Sequence, residues 1–196
     1  NKIMKRVFDL LFSTVIIIGV LSWLVPIMAI IIKLESKGPV FFIQKRNGLN
    51  YNVFNCFKFR SMVLNDKTDS GLALKNDIKI TKLGKFIRKT SIDELPQFFN
   101  VLWGDMSVVG PRPHPVSHND QYALMADKFM ARHFVKPGIT GLAQIKGFRG
   151  EVETHHDIIS RVKYDIFYME NWSILLDIEI IFKTIYNIIR GDEKAF

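Results

Sequence analysis

A single cysteine, Cys56, is all the disulfide-forming capacity in 196 residues, which excludes an internal bridge and the disulfide-scaffold class of small secreted domains. Set between Asn55 and Phe57, it reads as a buried strand residue in a reducing, cytoplasm-facing compartment. Acidic residues are scarce at one end: residues 1–65 hold nine Lys or Arg against two acids, whereas the remaining 131 residues hold 18 against 17. Nearly all of the net charge of +8 therefore sits in the first third. Internal repeats and low-complexity segments are lacking, and 48% hydrophobic residues exclude disorder and collagen-like structure. The five histidines, His114, His118, His133, His155 and His156, lack a metal-binding spacing. The basic residues flank a long apolar run instead of covering a recognition surface, which favours an anionic membrane over nucleic acid as partner.

That run is the first feature present in strength. Leu10 to Ile32 is 23 consecutive residues without a charge, ~34 Å of straight helix at ~1.5 Å per residue, enough for a hydrocarbon core of ~30 Å. Pro26 lies inside it, removing one helical hydrogen bond and clashing with the carbonyl of Ser22 at a cost of ~3 kcal/mol unless the helix bends. A break is expected near Val25 and Pro26. Lys2, Lys5 and Arg6 precede the run and Lys33, Lys37, Lys45 and Arg46 follow it, so neither end is marked as outside. A re-entrant helical hairpin satisfies both observations, with the Ser22 hydroxyl beside the disturbed backbone; a kinked transmembrane helix is the competing reading. No small-residue cleavage site marks a signal peptide. With no initiator Met before Asn1, the chain reads as a piece of a longer protein, with residues 1–36 in the membrane and 37–196 as a catalytic-sized remainder.

The fold class expected is α+β, mostly helical. Val40–Arg46 and Tyr51–Arg60 read as paired strands around Asn47-Gly48, and period two places Lys58 and Arg60 on one face. Residues 65–80 read as a mobile loop. Helical segments are predicted at Lys82–Lys89, Asp93–Trp103, Gln121–Phe134, Val152–Tyr168 and Trp172–Ile189. The last is apolar on several faces and suits either the core or a bilayer interface.

Chemistry concentrates in the stretch from Thr90 to Leu102. Leu95, Phe98, Phe99 and Leu102 form a helical stripe, and Pro96 belongs in a first turn, which puts Asp93 and Glu94 at a helix amino terminus, where anions are favoured. Acidic caps are common there, and Ser91 with Glu94 matches a capping box, so capping competes with catalysis. Gly110-Pro111-Arg112-Pro113 is a rigid loop presenting one Arg, and Pro137-Gly138-Ile139-Thr140-Gly141 is a turn-rich loop leading to Gln144 and Arg149. Lys58, Arg60, Arg88, Arg112 and Arg149 are cations able to converge on a pyrophosphate beside the acidic pair.

Lys58-Phe59-Arg60-Ser61-Met62, Asp93-Glu94-Leu95-Pro96-Gln97, Val109-Gly110-Pro111-Arg112-Pro113 and Lys136-Pro137-Gly138-Ile139-Thr140-Gly141, in this order behind one hydrophobic segment, resemble the bacterial monotopic polyprenyl-phosphate phosphoglycosyl transferases. The resemblance covers essentially the whole chain. Gly147-Phe148-Arg149-Gly150-Glu151 with Asn171-Trp172-Ser173 is similar to the branch that transfers glucose or galactose 1-phosphate. Leu142 departs from the Trp that many members carry. The resemblance implies a re-entrant membrane helix broken at Ser22 and Pro26, membrane lipid as partner, and an active site on the cytoplasmic face of the bacterial inner membrane. It further implies transfer of hexose 1-phosphate from a UDP-hexose to polyprenyl phosphate, with release of UMP. In that chemistry Asp93 is the nucleophile and Glu94 a ligand of Mg²⁺, with Lys58, Arg60, Arg88, Arg112, Gln144 and Arg149 binding substrate or phosphate. An aspartyl phosphatase and a noncatalytic membrane scaffold are the alternatives, and the oligomeric state, including a homodimer, stays open.

Overall fold

In the computed structural model, which describes residues 2–63, 80–126, 128–150, 152 and 154–191, the apolar run is helical from end to end. Helix α1 (Lys2–Ile16) passes through a π-helical turn, Ile17–Leu21, directly into α2 (Ser22–Glu35). The break expected near Val25 and Pro26 is not found: α2 runs through both residues, and the irregularity lies upstream, where the widened π turn keeps the helix continuous. Ser22 N–H reaches back to the Ile17 carbonyl. The Ser22 hydroxyl donates to Ile18 O at 2.6 Å, and Trp23 Nε1 donates to Gly19 O at 2.9 Å. Side chains of the rod itself therefore serve carbonyls around the turn, as an irregular helix in an apolar medium requires.

One stripe of the rod is buried against the rest of the protein: Asp9, Ser13, Leu21, Met28 and Ile32 recur at helical spacing along its length. Near the start, Lys5 Nζ pairs with Asp177 Oδ2 at 2.8 Å, and the Arg6 guanidinium donates to the carbonyls of Val101 and Leu102 at 2.6 and 2.9 Å. The Asp9 carboxylate accepts from Ser107 Oγ and Val108 N, both at 3.0 Å. At the far end, Arg60 donates to the Ser36 and Lys37 carbonyls at 2.6 and 2.7 Å, capping α2. Both ends of the rod are fastened to the same body.

Among the described residues, that body holds two small sheets. Strands β1 (Phe41–Asn47) and β2 (Val53–Phe59) pair antiparallel, with Asn47 opposite Val53. The connection is longer than the two-residue turn that Asn47-Gly48 signals: a 3₁₀ turn, Leu49–Tyr51, intervenes, and Asn50 and Tyr51 take the positive φ values. On β2 the buried Asn100 side chain acts as a further strand, donating to Asn55 O at 2.7 Å and accepting from Phe57 N at 3.1 Å. Cys56 is buried in β2.

Helix α3 (Lys82–Lys89) starts at Thr81, whose hydroxyl accepts from Gly84 N. A 3₁₀ turn, Ile92–Glu94, precedes α4 (Gln97–Trp103), with Pro96 just ahead of it and Gly104 ending it at φ 101°. The predicted helix at 121–134 is instead α5 (Val116–Met125) and a 3₁₀ segment, Phe129–Phe134, parted by Lys128 at φ 62°. Helices α6 (Leu142–Ile145), α7 (His155–Glu170) and α8 (Ile174–Arg190) follow. A capping box, Thr154 with Asp157, opens α7, and the Ser173 hydroxyl opens α8. Leu21, Phe98, Val101, Met106, Val109, Tyr168 and Ile180 pack into one core that joins the rod to strand β3 (Ser107–Val109), α4, α7 and α8. Each fully buried large side chain contributes roughly 1.5–3 kcal/mol. The 65–80 loop lies outside the described residues except for Ile80, which bridges to Met62.

The second sheet was not expected. Strand β3 runs parallel to β4 (Gly138–Thr140), so the two Gly/Pro motifs read as loops are hydrogen-bonded neighbours. Gly110 N donates to Thr140 O at 2.8 Å and Gly138 N to Pro111 O at 2.9 Å. The backbones approach so closely that a Cβ on Gly138 would stand 2.1 Å from Gly110 N, and one on Gly141 2.2 Å from Gly110 O. Gly138→Ala should therefore lower stability by about 1–3 kcal/mol through overpacking, a fall in Tm of roughly 2–12 °C for a chain this size. Gly19→Ala, with nothing within 4 Å of the new methyl, should leave Tm unchanged or higher. Thermal melts of the two variants in one detergent check this.

Candidate active site

Asp93 and Glu94 sit in the 3₁₀ turn ahead of α4, both buried. The capping-box expectation is corrected here. Ser91 has φ 58°, its hydroxyl is buried without a partner, and no side chain caps the turn. A left-handed residue cannot present its hydroxyl along the helix axis as a cap does, and the Glu94 carboxylate turns elsewhere.

It turns to three cations from three segments. Lys58 Nζ, from β2, lies 2.7 Å from Glu94 Oε1. Arg112, from the loop after β3, grips both oxygens, with Nη2 2.6 Å from Oε1 and Nη1 3.2 Å from Oε2. Arg149, beyond α6, brings Nη2 to 2.9 Å from Oε2. A carboxylate accepts about four hydrogen bonds, and all four positions are taken. Asp93 is approached less closely, its Oδ2 lying 3.9 Å from Lys58 Nζ, with Arg88 and Arg149 also acting on it electrostatically.

The two carboxyls are consequently driven apart. Burial pushes Asp93 above the ordinary carboxylate value, against the pull of Lys58, and the charge of Glu94 adds to the push. Burial opposes ionisation of Glu94 as well, but Arg112, Lys58 and Arg149 outweigh it and hold the group well below its ordinary value. At neutral pH Glu94 is a fixed anion bound to its cations. Asp93 is the less satisfied of the two, buried and with its nearest cation 3.9 Å away.

The cations are themselves positioned by buried groups that sequence patterns did not reveal. Arg132 Nη2 donates to the Arg112 carbonyl at 2.8 Å and pairs with Asp165 at 2.7 Å. Arg46 Nη1 donates to the Pro113 carbonyl at 2.7 Å. Burial raises the Asp165 carboxyl to about 6 and lowers the His133 imidazole to about 4. Arg88 is held by the Ser61 hydroxyl at 2.9 Å and the Met62 sulfur at 3.4 Å. Arg132 and Asp165 lie in different helical segments with no shared motif, so no local signal could have found them.

Of the residues expected at the site, Lys58, Arg112 and Arg149 meet on Glu94, and Arg88 acts on Asp93 electrostatically. Gln144 stands in a cleft beside Arg149. Arg60 is taken away from the acidic pair. It follows the last residue of β2, and its guanidinium is spent on the α2 carbonyls. Ser22 and Pro26 belong to the rod. Among the described residues no three His, Cys, Asp or Glu side chains form a metal-binding group. The adjacent carboxylates suit Mg²⁺, which is commonly held by one or two carboxylates together with substrate phosphates.

Comparison with known proteins follows the same lines. A family model described as bacterial sugar transferase matches residues 1–191. The chain is 51% identical over 187 residues to a UDP-glucose:undecaprenyl-phosphate glucose-1-phosphate transferase of Klebsiella pneumoniae, covering 95% of this chain and 40% of that protein. A protein of the same name from Escherichia coli K12 is 47% identical over 188 residues, with 95% and 40% covered. A UDP-galactose-lipid carrier transferase of Erwinia amylovora is 38% identical over 210 residues, with 98% and 42% covered. The chain thus spans about two fifths of the length of these relatives.

The opposed environments of the carboxyls make opposed predictions for stability. Because the folded-state value of Asp93 is raised, its charge costs stability that returns as pH falls, so Asp93→Asn at pH 7 should be neutral or stabilising. Glu94 contributes stability that is present above its ordinary value of 4.5 and lost as pH falls through its depressed one. Glu94→Gln strands three largely buried cations and should cost about 3–5 kcal/mol. Denaturant titration of both variants at pH 7 measures the difference, and equal effects would contradict the charge assignment.

Proposed function

Because the chain belongs to the bacterial sugar transferase family, we propose that it is a membrane-associated phosphoglycosyl transferase, moving a hexose 1-phosphate from a UDP-hexose to undecaprenyl phosphate. The observation that carries this reading is the separation of Asp93 and Glu94 into a poorly satisfied carboxylate and a cation-clamped one, side by side in a cluster of Lys58, Arg88, Arg112 and Arg149. The names of the relatives supply a UDP-sugar and undecaprenyl phosphate as substrates.

An Asp93 carboxylate oxygen attacks the phosphorus that bears the sugar. The bond from that phosphorus to the bridging oxygen breaks, the electron pair leaves with UMP, and hexose phosphate remains on Asp93 as an acyl phosphate. A phosphate oxygen of the polyprenyl acceptor then attacks the same phosphorus, freeing the Asp93 carboxylate and releasing polyprenyl diphosphate hexose. The cations on Glu94 stabilise the charge that spreads over the phosphoryl oxygens, Arg112 through guanidinium N–H groups other than the two that grip Glu94. Glu94, together with oxygens of the donor phosphate, would hold Mg²⁺, which would supply further neutralisation of the leaving group's charge.

The membrane reading follows from the rod. Lys2–Glu35 is long and apolar enough to cross a membrane by length and composition, and association with a membrane is the coarse consequence. The finer reading is re-entrant. Lys5 at one end and the Ile32–Lys37 carbonyls at the other are tied to one body, which supports both ends on the cytoplasmic side of the inner membrane.

Two experiments test these proposals. After incubation with UDP-hexose alone, mass spectrometry should find a hexose-phosphate increment on the peptide containing Asp93. Asp93→Asn should show neither the increment nor UMP release, while Glu94→Gln should be slowed and need more Mg²⁺. Release of UMP only when polyprenyl phosphate is added would replace the two-step scheme with direct displacement. Separately, single cysteines at positions 2 and 45, in a Cys56→Ser background, should label from the same face of sealed vesicles; opposite labelling means a spanning helix.

A further inference from the structure

Asn100 sits at the crossing of the segments that carry the site. It belongs to α4, the helix that begins just after Asp93 and Glu94, and it is completely buried. Its side-chain amide faces β2. Among the described residues no strand pairs with that edge of β2, and the amide takes the place of one: Nδ2 donates to Asn55 O at 2.7 Å while Oδ1 accepts from Phe57 N at 3.1 Å. The two partners, a carbonyl that can only accept and an N–H that can only donate, fix which way the amide points. The second amide hydrogen is directed at Asp105 Oδ2, 3.3 Å away, and the backbone carbonyl of Asn100 accepts from Gly104 N and Asp105 N, both at 3.0 Å. Asn100 therefore ties the end of α4 and the turn into β3 to one point on β2.

That point is next to Lys58. The Lys58 ammonium is within ion-pair distance of both carboxylates, 2.7 Å from Glu94 Oε1 and 3.9 Å from Asp93 Oδ2. Its side chain is a flexible four-carbon stem, so the place of its charge depends on where β2 stands relative to the turn that holds the acids. Phe54 and Cys56 of β2 share a core with Phe98 and Val101 of α4, but apolar packing is non-directional and selects no register. A two-ended hydrogen bond to the peptide groups on either side of Cys56 does. We propose that Asn100 is a positioning residue of the transfer reaction: its amide sets the register of β2 against α4 and thereby places the Lys58 ammonium on Glu94 and within reach of Asp93. The inference rests on the proposed function and deepens it, adding a residue that acts only through Lys58. The side chain suits the task. An ionised Asp would set its charge against Asn55 O and Asp105, Leu would leave both peptide groups of β2 unpaired, and Gln, one methylene longer, would push the strand away.

Two measurements on the full chain in detergent test it. In the first, the urea midpoint is compared for Lys58→Ala made in the parent and in Asn100→Ala. Removing Lys58 from the parent leaves the buried Glu94 short of a cation and lowers the midpoint; in Asn100→Ala, where the ammonium is no longer held at Glu94, the same substitution should lower it little or not at all. A role confined to the fold makes the two penalties equal, and equal penalties overturn the inference. In the second, UMP release is followed with UDP-glucose or UDP-galactose as donor and polyprenyl phosphate as acceptor. Asn100→Ala should lower kcat/KM about ten- to a hundredfold, the weight of one charge-assisted contact, and parent-like activity in the folded variant overturns the inference. Asn100→Ser, which keeps a hydroxyl for one of the two bonds, replaces Asn100→Ala in both measurements if the latter does not fold; failure of both to fold assigns Asn100 to the fold alone and overturns the inference as well. Absence of UMP release by the parent from either donor overturns the proposed function, while the midpoint comparison still reports whether Asn100 places Lys58.

Discussion

The Glu94 carboxylate is the constraint on which the arrangement depends. It is buried, carries a charge it could not keep alone, and collects Lys58, Arg112 and Arg149 from β2, the loop after β3 and the segment after α6. A buried ion cluster of this kind is weak as a source of net stability, since desolvation consumes much of the attraction. Its value is positional. Three chain segments far apart in sequence are brought to one point within hydrogen-bond distance. The buried pair Arg132–Asp165 and the side chain of Arg46 then hold the backbone behind Arg112. Charge, rather than apolar packing, sets the geometry of this corner, while the core beneath it needs only bulk and shape.

Strand β2 couples that corner to the apolar rod. Lys58 reaches Glu94, and two residues later Arg60 closes the carboxyl end of α2. Asp9 and Lys5 fasten the other end of the rod to Val108 and Asp177, and Asp177 also accepts from Tyr168 and Trp172. A shift of the rod relative to the body would therefore strain Arg60 at one end of a strand whose other contacts define the site. With the proposed lipid acceptor, such coupling would set the depth of Asp93 against the membrane.

The helices and the first hairpin were legible because their signals are local. Periodicity placed α3 at its observed bounds and α7 and α8 within a few residues, and Asn47-Gly48 marked the right connection although its turn proved longer. The parallel pair β3 and β4 was not legible: three-residue strands in Gly/Pro motifs show no alternation, and their glycines are explained only by contacts some thirty residues away in sequence. Leu102 continued the apolar spacing of Leu95, Phe98 and Phe99, yet it is 37% exposed, since α4 ends one residue later and its last turn leaves the core. At the site, residue types were readable from motifs and their destinations were not. Period two put Lys58 and Arg60 on one face; only the end of the strand separates their roles. Ser91 shows the same limit, because its motif matches a cap while its backbone is left-handed.

The distribution of charge connects these points to chemistry. Lys58, Arg88, Arg112 and Arg149 bring four positive charges to two carboxylates, leaving a surplus of two for an incoming anion in a site with little water to screen it. The surplus lies beside Asp93, because Glu94 has already taken the shortest contacts. A diphosphate entering this field finds cations directed at its oxygens and, among them, a carboxylate that burial has made reluctant to stay charged. In the proposed reaction, transfer of a phosphoryl group onto Asp93 would remove that unfavourable charge from the carboxyl, so the burial that destabilises the free carboxylate would favour the bond that consumes it.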